Sequence, residues 1–240
     1  MTRRNELIID GVRTSSFPFS IIVKETPFFD VTESKTQLIE HDGINGAVIQ
    51  SNKHRPISKR EYTLQLIDPT EEDLYQFLAL FSKEGFWLES EAIKSTRRWC
   101  YKVGELDVQQ ETPSVYVCKV VFYCHPTKFF KEVDTQTLTA NGVLRLRGSA
   151  LAFPKITVVG ERAFETSFTI DDQVIKLETL SESLVMVNDP DNPSFKTVSG
   201  KLIKWSGDFI TIDTSKSRTV GVVLGPGITS LKFETVWGWA

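Results

Sequence analysis

Tyr62-Thr63-Leu64-Gln65-Leu66-Ile67-Asp68-Pro69-Thr70-Glu71-Glu72-Asp73-Leu74-Tyr75-Gln76-Phe77-Leu78-Ala79-Leu80-Phe81 is the stretch that decides the fold. Residues 62–67 place large apolar side chains at alternate positions, the two-residue period of a strand with one buried face. Asp68-Pro69 breaks that ladder and opens a helix well. Thr70 supplies a capping hydroxyl and Asp73 follows three residues on, which is the spacing of a capping box. Leu74, Phe77, Leu78 and Phe81 then fall at i, i+3, i+4 and i+7 and line one helical face. The spacing predicts a helix over 70–81, with Leu78 among its buried residues. The rest of the chain reads as strands, so one amphipathic helix must cover one sheet.

Outward from this segment, Leu7 to Ile9 and Ser20 to Val23 read as two short strands joined through the turn pair Asp10-Gly11. On the other side, Phe86 to Leu88, Trp99 to Val103 and Val115 to Tyr123 add strands. Val115 to Tyr123 is apolar at nearly every position, which places it at the centre of a sheet. His125-Pro126-Thr127-Lys128 is read as its end. A polar stretch from Asp134 to Asn141 is read as a domain boundary. Beyond it, short strands recur at Lys155 to Val159, Ser167 to Ile170, Val174 to Leu177, Leu184 to Val187, Lys201 to Trp205, Phe209 to Ile212, Val220 to Leu224 and Ser230 to Trp237. That pattern predicts an antiparallel sandwich. The expected fold is mainly β with a single helix, in two domains, 1–133 and 134–240.

Residues 27–56 differ in character. Phe28, Phe29, Val31, Leu38, Ile39, Ile44, Val48 and Ile49 are scattered among polar residues, with Asp42-Gly43 and Asn45-Gly46 as turn signals. The segment is too polar for a core and too apolar for a free linker. It is read as a projecting loop or long hairpin whose apolar side chains need a partner, and Phe28, Phe29, Val31, Leu38 and Ile39 are the candidate interface residues.

Composition narrows the function. The formal charge is -3, from 28 Lys and Arg against 31 Asp and Glu; residues 134–240 carry 11 against 12, leaving 17 against 19 for residues 1–133. Neither part has the basic footprint of a nucleic-acid binder. Cys100, Cys118 and Cys124 show no metal-ligand spacing and read as free thiols of a reducing compartment. No signal-peptide pattern or membrane-length apolar run is present, which gives the expectation of a product made in the cytoplasm.

His41, His54 and His125 lack second ligands at metal-binding spacing. Gly225-Pro226-Gly227 lacks the Lys-Ser/Thr of a phosphate loop and is read as a hairpin turn. No nucleophile with its base and no pair of facing acids is evident, so no catalytic residue, metal or cofactor is expected. Trp205, Trp237 and Trp239 leave a carbohydrate-binding module as the alternative function.

The order of local motifs resembles the distal tail protein (Dit) family of long-tailed bacteriophages, in particular those infecting Gram-positive hosts. The resemblance rests on Leu7-Ile8-Ile9-Asp10-Gly11-Val12-Arg13, Ile39-Glu40-His41-Asp42-Gly43, Arg60-Glu61-Tyr62-Thr63-Leu64-Gln65-Leu66 and Cys118-Lys119-Val120-Val121-Phe122-Tyr123-Cys124-His125-Pro126. It continues in Ser206-Gly207-Asp208-Phe209-Ile210-Thr211-Ile212-Asp213 and Val223-Leu224-Gly225-Pro226-Gly227-Ile228. It covers most of the chain, departing where Ile228 stands in place of a common Asn and where the turn near Asp42 lacks a preceding basic residue. The resemblance implies a structural hub of the tail, with a ring-forming N-terminal domain and a C-terminal galectin-like sandwich on the ring's outside. It further implies a hexamer at the tail tip of the virion that joins the tail tube protein to the tail-associated adhesion or lysin protein, with other baseplate or receptor-binding proteins as further partners in host attachment. Segment 27–56 would then reach a neighbouring subunit.

Overall fold

The computed structural model describes residues 6–25, 32–43, 45–51 and 55–240. The chain divides into two compact units, Met1–Lys128 and Phe129–Ala240. In the first, the strands are β1 (Leu7–Ile9), β2 (Val12–Arg13), β3 (Ser20–Val23), β4 (Thr36–Glu40), β5 (Ala47–Ser51), β6 (Ser58–Ile67), β7 (Glu84–Ser90), β8 (Ile93–Thr112) and β9 (Val115–Phe130), with helix α1 (Glu71–Ala79) between β6 and β7. Strands β2-β1-β7-β8-β9-β6-β3 lie side by side in that order, and among the described residues β4 and β5 pair only with each other.

The helix forms as its sequence dictates. Asp68 takes a left-handed φ of 52°, Pro69 follows, and Thr70 caps α1. The Asp73 N–H donates to Thr70 Oγ1 at 3.2 Å, and the Thr70 N–H donates to Asp73 Oδ2 at 3.0 Å. Two otherwise orphaned donors are thereby satisfied. The last turn tightens into a 3-10 segment over Leu80–Ser82. Phe77 is wholly buried and meets Phe17, Phe19 and Phe81 edge-on, with ring centroids 5.3, 6.1 and 5.1 Å away. Phe122 of β9 and Phe86 of β7 continue the same core. Leu74 and Leu78 are only partly buried against it, so Phe77 is the anchor where the periodicity alone gave the face equal weight.

Three local expectations need correction. Asp10-Gly11, with φ of 50° and 79°, turns β1 into β2, while β3 pairs with β6, Ser20 opposite Ile67. A tight turn returns the chain at once, so the strand paired across it must follow immediately. β9 also runs past Pro126 to Phe130. Its pairing with β6 ends at Cys124, opposite Ser58, so the missing N–H of Pro126 costs no bond to that neighbour. Finally, the polar stretch after it contains a strand, β10 (Asp134–Leu138).

The second unit also holds β11 (Gly142–Arg145), β12 (Leu151–Ala152), β13 (Lys155–Gly160), β14 (Thr166–Ile170), β15 (Gln173–Leu177), β16 (Leu184–Val187), β17 (Ser194–Thr197), β18 (Trp205–Ser206), β19 (Ile212–Asp213), β20 (Thr219–Leu224) and β21 (Ile228–Thr235). Two five-stranded antiparallel sheets, β10-β21-β13-β16-β17 and β11-β20-β14-β15-β18, share one core that includes Ile156, Phe168, Phe233 and Trp237. Gly225-Pro226-Gly227 carries the chain from β20 in one sheet to β21 in the other, so it is a crossover and not a hairpin turn. A side-chain carbon at Gly225 would collide with the Ser167 carbonyl, and the Pro226 carbonyl accepts from Thr166 Oγ1 at 2.7 Å. Trp237 donates from Nε1 to Asp134 Oδ2 at 2.9 Å, which satisfies its one polar atom inside the core.

Phe77→Ala is expected to destabilise the first unit by about 3–5 kcal/mol in denaturant unfolding, through lost transfer energy and the cavity left among the rings. Leu78→Ala should cost less, and exposed Gln76→Ala within about 0.5 kcal/mol. Equal small losses at all three positions would show that α1 is not held through Phe77.

Candidate functional site

The hairpin of β4 and β5 stands on a segment that leaves the main sheet after β3 and returns at β6. At its base, Lys24 N–H donates to the Thr63 carbonyl at 2.9 Å, and Glu25 Oε1 accepts from the Thr63 N–H at 2.7 Å. The Arg55 guanidinium donates to the Thr32 carbonyl, tying the two flanks together. Gly43 and Gly46, both at φ 95°, supply the left-handed backbone that the tip needs. Five residue pairs hold the register from Thr36 opposite Ser51 to Glu40 opposite Ala47.

That register sets which apolar side chains share a face. Leu38 lies opposite Ile49 on one face, and Ile39 lies opposite Val48 on the other. Leu38 is 66% and Ile49 70% exposed, whereas Ile39 is half-buried. A two-stranded hairpin is marginal by itself in water. Burying each of Leu38 and Ile49 against a partner is worth about 1.5–3 kcal/mol. The surface can therefore act as an adhesive patch and offers no group suited to bond-making chemistry. Of the residues expected to form an interface, Leu38 and Ile39 lie on this hairpin, and Phe28, Phe29 and Val31 lie outside the described residues. Ile49, the most exposed of the set, was present in the sequence as part of the segment's apolar scatter. Its pairing with Leu38 needed the register.

The titratable groups of the first unit make a separate picture. Arg60, Arg98 and Lys128 crowd one end of its core, where Arg60 Nη2 donates to Ser58 Oγ at 2.8 Å. Burial, reinforced by Arg98 and Arg60, holds Lys128 down to about 8, and burial lowers both guanidiniums. Cys118 is wholly buried, and desolvation, with Asp107 adding to it, pushes its thiol up to about 12. His41 is exposed in the hairpin turn, His54 lies outside the described residues, and His125 accepts from the Thr127 N–H at 3.0 Å through Nδ1. Among the described residues, no group of three or more His, Cys, Asp or Glu side chains is placed to hold a metal ion. No helix among them is long and apolar enough to cross a membrane.

No protein-family model matches this chain, and no curated protein matches it in sequence. Four chains of solved structures match it. One is the Dit protein (gp 19.1) of phage SPP1, described as a paradigm of the hub adsorption apparatus in phages that infect Gram-positive hosts. The likeness has a TM-score of 0.74 at 16% sequence identity and covers 96% of this chain and 98% of that one. Two sequences that different share the fold over both compact units.

The burial of Cys118 has a pH signature. In the unfolded chain its thiol ionises near about 8.5, and in the folded chain it keeps its proton to about 12. Its contribution to stability is thus whole below about 8.5 and is lost as pH rises toward 12, because the folded state binds the extra proton there. Unfolding free energy measured from pH 7 upward should fall for the wild type relative to Cys118→Val above about 8.5. A constant difference between the two across that range would contradict the assignment.

Proposed function

We propose that this chain is a structural hub at the distal end of a long-tailed phage tail, acting by assembly and not by catalysis. The observation that carries the proposal is a fold shared with the SPP1 Dit protein over 96% of this chain. Residues 1–133 close into a ring, with six copies as the expected number, and residues 134–240 form the outer sandwich. The ring joins the tail tube to the adhesion or lysin protein at the tip. Fold alone does not assign function, so the exposed hairpin is what ties the proposal to this chain's own residues.

The physical logic is that of a heterologous contact. A hairpin that lays Leu38 and Ile49 on a neighbour uses one surface of the first copy and a different surface of the second. Such contacts either close into a ring or grow into a filament. The apolar patch supplies affinity, and closure supplies the finite size. Of the aromatic residues behind the carbohydrate-binding reading, Trp237 is buried and Trp205 sits between Phe195 and Phe209 with ring centroids 5.3 Å from each, which leaves Trp239 as the exposed one.

Light scattering of the intact chain over a concentration series should show a step from monomer to a closed ring. The double variant Leu38→Asp, Ile49→Asp should remain monomeric with an unchanged melting temperature, because both side chains are exposed in the single chain. A wild type that stays monomeric at high concentration and in assembled tails, or a variant that forms rings equally well, would refute the role given to the hairpin.

A further inference from the structure

One pair of thiols in the core of the first unit does more than fill space there. Cys100 of β8 and Cys124 of β9 lie on neighbouring strands with their sulfurs 2.8 Å apart, closer than two unbonded sulfurs pack. Both thiols are free and wholly buried. Their charge is distributed unequally. The hydrogen bond from Cys100 favours the thiolate of Cys124, with Arg98 and Arg60 adding to the effect, and the same bond disfavours ionisation of Cys100. The contact favours Cys124 as the sulfur that ionises, with Arg98 and Arg60 supporting its charge and burial opposing it. A thiolate is the nucleophilic form of cysteine, and nearby cations are what create it at ordinary pH.

We propose that Cys100 and Cys124 are a disulfide-forming pair that a peroxide-class oxidant closes into a covalent staple between β8 and β9. The Cys124 thiolate attacks one oxygen of the peroxide, breaking the O–O bond and leaving a sulfenic acid and hydroxide. The Cys100 sulfur then attacks the sulfenic sulfur, forming the S–S bond and expelling the second oxygen as water. The proton that Cys100 releases leaves with that oxygen in the water, and the hydroxide of the first step takes a proton from solvent. In sum the two cysteines lose two electrons and the peroxide is reduced to water. Cys118, on β9 with Cys124, has its thiol held protonated by burial, so it stays reduced.

The staple joins residues 24 apart in sequence and ties together the two long strands that carry the hairpin tip at Pro113 and Ser114. Cross-linking of this kind removes conformational freedom from the unfolded chain. A tail component made in a reducing cytoplasm would acquire it after release, but the chemistry stands or falls independently of the hub function.

The intact chain, still folded, is treated with hydrogen peroxide, quenched with catalase, then unfolded in guanidinium with iodoacetamide and mapped by mass spectrometry. The expected result is a single alkylated cysteine, Cys118, with a peptide pair joined through Cys100 and Cys124 and a raised thermal midpoint. Reduction should return three alkylated cysteines. In Cys100→Ser no bridge forms and Cys124 is recovered as the sulfenic or sulfinic acid. The peroxide dose is set as the one that oxidises all three thiols of the unfolded chain. At that dose, three alkylated cysteines from the folded wild type, a bridge to Cys118 or to another chain, or Cys124 oxidised without a bridge would each overturn the proposal. The wild-type map decides the question even if the variant does not fold.

Discussion

The first unit depends on covering one apolar sheet face. β6, β7, β8 and β9 present Leu64, Leu66, Phe86, Leu88, Cys100, Val120 and Phe122 to the same side, and an uncovered face of that kind has no stable form in water. The covering element is α1 with the 3-10 turn behind it, and the contact is made by Phe77 among Phe17, Phe19 and Phe81. Fixing α1 in place requires the chain to break at Asp68-Pro69 and restart on the Thr70 cap. The end of the sheet next to Arg60 and Arg98 is built from polar and sulfur-bearing side chains, and this is where the buried thiol pair sits.

How much of this could be read from the sequence follows from the range of each interaction. The helix, its cap and the central place of β9 are set by residues within one or two turns of each other, and their spacing states them directly. Pairing between distant strands is not written locally. β3 satisfies the same strand pattern whether it lies beside β1 or β6, and only the tight Asp10-Gly11 turn, which spends β1's free edge on β2, decides it. Gly225-Pro226-Gly227 has the composition of a hairpin turn, and its use as a crossover follows from partners lying tens of residues away. Ser194–Thr197 forms β17 against β16, whereas Leu202 contributes a single bridge to Lys196. Strand propensity does not separate two such neighbouring segments.

The candidate site was legible as a need and not as a geometry. Scattered apolar residues in a polar segment announced that something must cover them, and the structure shows Leu38 and Ile49 facing the same way at high exposure. The thiol pair was illegible, because cysteines 24 residues apart on two strands of uncertain register carry no spacing signal. The two features also differ in consequence. The hairpin faces outward and can recruit another molecule, while the thiols face inward and can alter only the unit that holds them.

The central claim is that the hairpin is buried by a second copy of the chain. Hydrogen exchange of residues 36–51, followed as protein concentration is raised through the assembly transition, tests it most directly. The account predicts that exchange in this hairpin slows in step with particle mass, while the amides of β6 and β9, already protected in the single chain, change little. Assembly that leaves exchange across 36–51 unchanged would contradict it.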